Sequence, residues 1–398
     1  MNSKIILSIS LLFWLQNQCA QNSNSEEITF LKEIGDLGNS RGVTVEQTKD
    51  NGYIITGHTT DGNHEGEDVL LIKTNPSGEV VWRKTFGGEG NDNGWAVRQT
   101  KDDGYIISGF TNSFGKGDMD IYLIKTDAKG ELVWSKTFGG DGDEYGWDIR
   151  TTNDNGYIIA SQTNSFGKGE IDAYLLKVDE NGNELWSNTY GGDKIDRVFS
   201  IQETRDNGFV TAGITYSYDS DSPNDRDGYL LKVDAFGREQ WHKIFGKDKY
   251  DVVHSVALTK DNGYVLTGYG ESFAKRENNR DVYLIKTDKH GETKWLKTYG
   301  DIEAERGIKG LQTKDGGYIA IGFTDKLLNL YLVRTDNNGE LLWKKAFGEN
   351  NKLEFGYTVR ETSDGGFILL GHSEDLETKK GKVLLIKTDS KGNISQKR

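Results

Sequence analysis

The chain has few of the residues that cross-link or interrupt a fold, with one cysteine and two prolines among 398 residues. A single cysteine excludes a disulfide within the chain, and two prolines exclude Pro-rich linkers. Apolar residues make up only 34%. The one long apolar run, from Ile5 to Leu15, is too short to span a bilayer, which needs roughly twenty residues. The composition therefore excludes a disulfide scaffold and predicts no transmembrane helix.

The chain also has fewer positively than negatively charged residues, with 49 Lys and Arg and 62 Asp and Glu. The formal net charge of −13 repels phosphate backbones and leaves no electrostatic footprint for nucleic acid. The charge by itself indicates solubility.

The N-terminus has the features of a secretory signal: Lys4, the apolar run and a small residue at Ala20. We predict a signal peptide over 1–20, a polar tether over 21–27 and one domain over 28–398. The only cysteine, Cys19, lies where the apolar run ends and resembles the lipidated residue of bacterial lipoproteins. Two export routes stay open: a lipoprotein of the outer membrane or cell surface, and a freely secreted or periplasmic protein.

Glycine and aromatic residues are plentiful, at 50 residues and 11%. They recur in a repeated anchor, Thr-x-Asp-x-Gly-Tyr/Phe, whose aromatic residues are spaced 49 to 55 residues apart. The seven anchor aromatics are Tyr53, Tyr105, Tyr157, Phe209, Tyr264, Tyr318 and Phe367. The anchor Thr and Asp are short polar residues in a turn, and they are expected to hydrogen-bond the local backbone.

Each repeat contains four strand-like segments separated by turns, and none shows a helical period. Four antiparallel strands in about fifty residues are typical of a propeller blade, which is stable only when packed against its neighbours. We therefore predict an all-β, seven-bladed β-propeller of four-stranded antiparallel blades. A tryptophan recurs in the last strand of six repeats and is expected to pack between blades.

The seventh repeat ends after Gly392, before its expected last strand. The missing piece resembles the segment Phe30-Leu-Lys-Glu-Ile-Gly35. The N-terminal segment is therefore predicted to supply the outer strand of the last blade and to close the ring.

The motif Lys-Thr-Asp-x-x-Gly-x-x-x-Trp, at Lys125–Trp134 and Lys286–Trp295, resembles the tryptophan-docking repeat of quinoprotein-like propellers. The chain also resembles the Gly-Gly-Tyr-Ile-rich propeller repeats of secreted Bacteroidetes-type proteins. Both resemblances imply the propeller fold. The vicinal cysteine pair of quinone-dependent dehydrogenases is absent, which argues against that activity, and the repeats lack the Gly-His and Trp-Asp pairs of WD40 blades.

An acid precedes the first strand of six repeats, with Ser40 in the other. The six are Asp92, Glu144, Asp196, Asp251, Glu305 and Glu354. Two roles are open: a carboxylate ring that collects a cation such as Ca²⁺, and capping of each blade, which repetition favours. No cofactor is expected, with calcium the exception. A second calcium candidate is the acidic loop with Asp219, Asp221, Asp225 and Asp227, although its spacing departs from a calcium loop.

The first strands also carry aromatic residues and arginines that could bind a carbohydrate or carboxylate by stacking and bidentate bonds. The alternative is packing between blades with paired arginines. The candidate ligand-binding residues are Trp95, Trp147, Arg98, Arg150, Tyr357 and Arg360.

Histidines provide the only candidates for catalysis. His58 and His372 occupy equivalent positions in the first and seventh repeats, which should be neighbours in a ring, and His254 is a third candidate. Some polysaccharide lyases place His and Tyr on a seven-bladed propeller, so proton abstraction is conceivable. A tolerant, partly exposed position is the structural alternative.

The favoured interpretation is an exported, non-enzymatic binding or scaffold propeller at the bacterial cell envelope. It would be a monomer with a protein or glycan ligand at one face. The alternative is a carbohydrate-active propeller, either a lectin-like binder or a polysaccharide lyase.

Overall fold

The computed structural model describes residues 28–395 except 36–37, 62–64, 219–225, 248, 278, 301–303 and 327. The predicted signal peptide, tether and Cys19 lie outside these residues. Across the described part of the chain the regular structure is all β. No described helix is long and apolar enough to cross a membrane.

The strands fall into four classes by their place in a blade. The innermost strands are β2 (Ser40–Gln47), β6 (Asp92–Gln99), β10 (Glu144–Thr151), β14 (Asp196–Glu203), β18 (Asp251–Leu258), β22 (Glu305–Gln312) and β26 (Lys352–Glu361). The second strands are β3 (Tyr53–Thr59), β7 (Tyr105–Thr111), β11 (Tyr157–Thr163), β15 (Phe209–Thr215), β19 (Tyr264–Gly270), β23 (Tyr318–Thr324) and β27 (Phe367–Asp375). The third strands are β4 (Asp68–Thr74), β8 (Asp120–Thr126), β12 (Asp172–Val178), β16 (Asp227–Val233), β20 (Asp281–Thr287), β24 (Leu330–Thr335) and β28 (Gly381–Thr388). The outer strands are β5 (Val80–Phe86), β9 (Leu132–Phe138), β13 (Glu184–Tyr190), β17 (Glu239–Phe245), β21 (Thr293–Thr298), β25 (Leu341–Phe347) and β1 (Phe30–Ile34).

These strands form seven four-stranded antiparallel sheets, and the predicted seven-bladed propeller is confirmed. Six sheets take consecutive strands, whereas the seventh has the order β1-β28-β27-β26. Strand β1 pairs with β28 from Phe30 opposite Lys387 to Ile34 opposite Val383. The N-terminal segment thus occupies the outer edge of the last blade, as the truncated seventh repeat predicted.

The repeated anchor forms the turn between the first and second strands. Thr48 donates its hydroxyl to Asp50 Oδ1 at 2.5 Å, and Asp50 accepts the N–H of Gly52. Asn51 takes a φ of 63°, which the tight turn requires. Asp50 also pairs at 2.9 Å with the buried Lys73 of the third strand, and its pKa is lowered to about 2 because hydrogen bonds from Thr48 and Lys73 outweigh burial. The anchor residues therefore have the local hydrogen-bonding role expected of them.

Neighbouring blades dock through one aromatic residue on each outer strand. The Trp82 ring meets the ring of Tyr105, on the next blade, with centroids 5.9 Å apart. It also covers the next blade's Gly130, where an added Cβ would lie 2.7 Å from the indole. Phe30 repeats this contact with Tyr53 at 6.2 Å and with Gly78. The recurring tryptophans therefore pack between blades, and Phe30 takes their place where the ring closes.

We predict that Phe30→Ala destabilises the protein by about 3 kcal/mol, because a buried aromatic side chain leaves a cavity in the closing contact. Deleting residues 28–35 should lower the melting temperature further, since it exposes the edge of β28. Both changes are measured by thermal and urea unfolding.

The matched control is Phe236→Ala, because Phe236 lies on a turn with 69% of its surface exposed. Equal stability of the Phe30 and Phe236 variants would contradict the closing role of β1.

Candidate functional site

The seven innermost strands surround a central channel. Each carries a register shift near its middle, for example between Gly42 and Thr44, so that the residue between is unpaired. Side chains from blades that are not neighbours influence one another here: the charge of Asp148, in the third blade, acts on Lys309, in the sixth. Because this charge interaction joins blades that are not neighbours, both side chains lie near the axis of the ring.

The channel has three rows, which we name from the face where the innermost strands begin. The upper row is Arg41, Asn93, Tyr145, Arg197, Val252, Arg306 and Phe355. The middle row is Val43, Trp95, Trp147, Phe199, His254, Ile308 and Tyr357. The lower row is Glu46, Arg98, Arg150, Gln202, Ala257, Leu311 and Arg360.

The acids at the start of the innermost strands accept hydrogen bonds from the neighbouring loops and strands. Asp92 accepts the N–H of Gly88 at 2.8 Å and the hydroxyl of Ser113 at 2.6 Å. Glu144 likewise accepts the N–H of Gly140 at 2.8 Å and the hydroxyl of Thr163. These bonds are the capping arrangement. The described residues include no group of three or more His, Cys, Asp or Glu placed to hold a metal ion.

In the middle row, rings from four blades pack against one another, two of the contacts edge to face and one stacked. Trp95 and Trp147 have centroids 4.6 Å apart, Trp147 and Phe199 6.1 Å, and Phe199 and His254 5.2 Å. Trp147 donates its indole N–H to Gln162 at 3.2 Å. Trp95 and Trp147, two of the predicted ligand-binding residues, thus lie side by side within the channel, between the upper and the lower row.

The remaining predicted ligand-binding residues are divided between the two ends of the channel. Arg98 and Arg150 both bind Asp148 Oδ1, at 2.8 and 2.7 Å, below the aromatic layer. Arg360, in the same lower row, donates to the carbonyl of Val359 at 3.0 Å. Tyr357 instead lies beneath the guanidinium of Arg41, 5.4 Å from the ring centroid, on the upper side. The structure does not bring the six together.

Arginines gather at the upper mouth over blades four to six. The guanidinium of Arg226 lies 3.5 Å from the ring centroid of Tyr250, and that of Arg280 lies 4.3 Å from the same centroid. Arg280 pairs with Glu271, and Arg306 pairs with Asp325. Arg197 and Arg226 form no ion pair with a described carboxylate, and their Nε atoms are buried without a hydrogen-bond partner. We call Arg197, Arg226 and Tyr250 the arginine mouth.

His254 lies at the floor of this mouth between two aromatic rings. It stacks on Phe199 and, at 5.6 Å, on Tyr269. Burial lowers the pKa of His254 to about 4, and the charges of Arg226 and Arg306 act in the same direction. The imidazole is therefore neutral at physiological pH.

A second cluster lies across the channel, where the seventh and first blades meet. It consists of Arg41, His58 and His372, and the two histidines are neighbours as their repeat positions predicted. Burial lowers the pKa of each histidine to about 4, Arg41 lowers both, and His58 lowers that of His372. In the described structure Nε of Arg41 and Nδ1 of both histidines are buried without a hydrogen-bond partner. The cluster therefore offers unpaired nitrogens beside a cation.

The acidic loop of the fourth blade contributes one described residue to its predicted calcium site. Asp227 begins β16 and is buried. Asp219, Asp221 and Asp225 lie outside the described residues, so the calcium hypothesis for this loop stays a prediction.

Several residues of the channel were missed in the sequence. Arg226 and Tyr250 lie in loops, where the repeat alignment gives no constraint. Asp148 and Lys309 lie on innermost strands at a position where the other repeats have Ala, Ser or Thr. Because five of the seven repeats have a small residue at this position, the two charged residues could have been predicted from the sequence to have a different role.

No protein-family model matches the chain, and no curated protein matches it either. Solved structures resemble it at 8 to 12% sequence identity, which shows the fold alone. A polysaccharide lyase of a new family, an ulvan lyase, matches with a TM-score of 0.59 at 8% identity, over 90% of this chain and 96% of that chain. The polysaccharide lyase Uly1 matches with 0.53 at 10% identity, over 94% and 95%. The WD40 domain of Neurospora crassa Pan2 matches with 0.51 at 10% identity, over 92% and 97%.

The neutral buried histidines predict an acid-sensitive fold. Between the folded-state pKa of about 4 and the ordinary value of 6.5, the unfolded chain binds more protons than the folded chain, so acidification destabilises the protein. From neutral pH to about pH 5, His58 and His372 should each contribute a loss of about 1 to 2 kcal/mol. Urea unfolding at both pH values measures the loss.

A His58→Gln, His372→Gln variant should lose less stability on acidification, whereas exposed His290→Gln should behave as the parent protein. An identical pH dependence in all three proteins would refute the assignment.

Proposed function

We propose that the upper mouth of the channel binds an anionic carbohydrate, with carboxylate or sulfate groups, and that the protein acts as a non-enzymatic binding propeller. The observation that carries this proposal is the arginine mouth. Among the described residues, the buried Nε atoms of Arg197 and Arg226 have no acceptor, in a chain whose net charge is −13. Because an unpaired buried donor costs about 1–3 kcal/mol, an anionic ligand that accepts from these donors gains that energy on binding.

The chemistry of the mouth fits this class of ligand. A guanidinium presents N–H groups as a planar fork that matches a carboxylate or sulfate in bidentate geometry. The partly exposed ring of Tyr250 offers apolar surface that a sugar ring can cover. Burial also lowers the pKa of the Arg197 guanidinium, and a bound anion would relieve this cost.

Two of the structures with a similar fold are polysaccharide lyases, and this supports a carbohydrate as the ligand class. Because one propeller fold hosts many functions, the support from the fold is secondary to that from the arginines. The predicted signal peptide would place the protein outside the cytoplasm, and lipidation at Cys19 would hold it at the cell envelope, where such polysaccharides are encountered.

The cluster of Arg41, His58 and His372 favours a second function, β-elimination on a uronate. A neutral imidazole would remove the proton next to the carboxylate, the adjacent C–O bond would break as a C=C bond forms, and the leaving oxygen would take up a proton. Arg41 would neutralise the carboxylate. The unpaired Nδ1 atoms of two neutral histidines are the observation that favours this chemistry.

We predict that Arg197→Gln and Arg226→Gln each weaken binding of polyuronate or sulfated oligosaccharides about tenfold, because each removes a charge-assisted hydrogen-bond donor. Calorimetry against alginate, polygalacturonate and chondroitin sulfate fragments measures this, with a neutral cello-oligosaccharide as the ligand control. The control variant is Arg205→Gln, an exposed arginine on the turn that follows β14, at the opposite face. Unchanged affinity in both mouth variants, or no binding by the parent protein, would overturn the proposal.

If the protein cleaves such a chain, the double variant His58→Ala, His372→Ala should abolish formation of the unsaturated uronate product. Binding should then persist, because the arginine mouth is intact. The product is followed by its ultraviolet absorbance. Full activity in the double variant would exclude elimination at this cluster.

A further inference from the structure

In five of the seven innermost strands, the side chain at one equivalent position hydrogen-bonds the next blade. Lys309 lies at this position in the sixth blade. At this position Thr44 donates to the carbonyl of Trp95 at 2.7 Å, and Ser255 accepts the N–H of Gly310 at 3.2 Å. Asp148, although charged, serves in the same way, since its Oδ2 accepts the N–H of Ile201 at 3.2 Å. Within the described structure the Lys309 ammonium group forms no such bond to the next blade, and its charge interacts with side chains across the ring instead.

Lys309 extends into the lower part of the channel, beneath the aromatic layer. The charged groups that face it come from four other blades. They are Glu46 on β2, Arg98 on β6, Asp148 on β10 and Arg360 on β26. Within the described structure no carboxylate lies within ion-pair distance of Lys309 or Arg360, and the carboxylates whose charges act on both are Asp148 and Glu46.

The two carboxylates are already engaged. Oδ1 of Asp148 holds Arg98 and Arg150 and also accepts the N–H of Ile149 at 3.0 Å. Glu46 accepts the N–H of Gln99 at 3.0 Å. Arg98, Arg150, Arg360 and Lys309 therefore face two carboxylates, and the chamber has an excess of two positive charges when Lys309 is protonated.

Such an excess of like charge among neighbouring side chains is costly unless an anion balances it. The pKa values of two of these cations shift in the direction that this cost predicts. Burial lowers the pKa of Lys309 to about 7, with Arg360 and Arg98 acting in the same direction, and burial lowers the pKa of Arg360 to about 10. A divalent anion would satisfy both groups and complete the charge balance.

We propose that the lower chamber, lined by Lys309, Arg360 and Arg98, is a second binding site, for a divalent oxyanion such as sulfate or phosphate. The anion would be the free ion or a sulfate or phosphate group of a larger molecule that enters from the lower face. The middle row lies between the lower chamber and the arginine mouth, so this second site does not depend on the proposed function.

The test is calorimetric titration of the full chain with sodium sulfate at constant ionic strength, with chloride as the background anion. The titrations use an Arg197→Gln, Arg226→Gln background, which removes the donors of the arginine mouth. We expect saturable binding of one sulfate, at least tenfold weaker when Lys309→Met or Arg360→Gln is added. Lys260→Met, an exposed lysine at the lower face, is the matched control. Phosphate and a sulfated disaccharide serve as further titrants, and tighter binding of the disaccharide would identify the group of a larger ligand as the source.

Sulfate keeps its charge over the relevant pH range, so its pH dependence reports on the protein. Binding should weaken from about pH 6 to about pH 8.5, as Lys309 loses its proton, and this dependence should be absent in Lys309→Met. Absence of saturable binding, or equal affinity in the Lys309→Met, Arg360→Gln and parent proteins, would overturn the proposal. Unfolding midpoints of all variants show that each is folded.

Discussion

The structure depends on one contact repeated around the ring, in which an aromatic side chain on each outer strand packs on the next blade. Each ring meets the anchor aromatic of the neighbour and covers a glycine whose positive φ and missing Cβ leave room for it. Since a single blade cannot bury both faces, these contacts are what turn seven marginal sheets into one fold. Phe30 supplies the seventh contact, so the two ends of the described chain are held together without a covalent link.

Closure fixes the innermost strands around the axis and leaves their channel-facing side chains free to vary. The anchor turns, the capping acids and the docking aromatics recur because every blade needs them. The channel rows and the residues beside them differ from blade to blade. There the molecule collects Arg41, Arg197, Arg226, Lys309 and Arg360 inside an otherwise acidic protein. The constant positions account for stability, and the variable positions carry the binding chemistry that we propose.

Much of this architecture could be predicted from the sequence, because the forces that specify a blade act locally and recur at a nearly fixed step. The anchor, the tryptophans and the truncated last repeat were enough for the blade number and for the role of Phe30. The site was harder to predict because it is built across the ring: Lys309 and Asp148 are far apart in the chain, and their charges interact only because both lie near the axis. Trp95 and Arg98 are near in sequence, yet the bulged strand sends them to different layers.

The central claim is that β1 closes the ring by pairing with β28, and hydrogen exchange of the native full-length chain tests it most directly. The account predicts that the amides of Val383–Lys387 are as strongly protected as those of the equivalent third strand β16, because both are flanked by two strands. Rapid exchange in β28, with β16 protected, would show an open edge and contradict the closed ring.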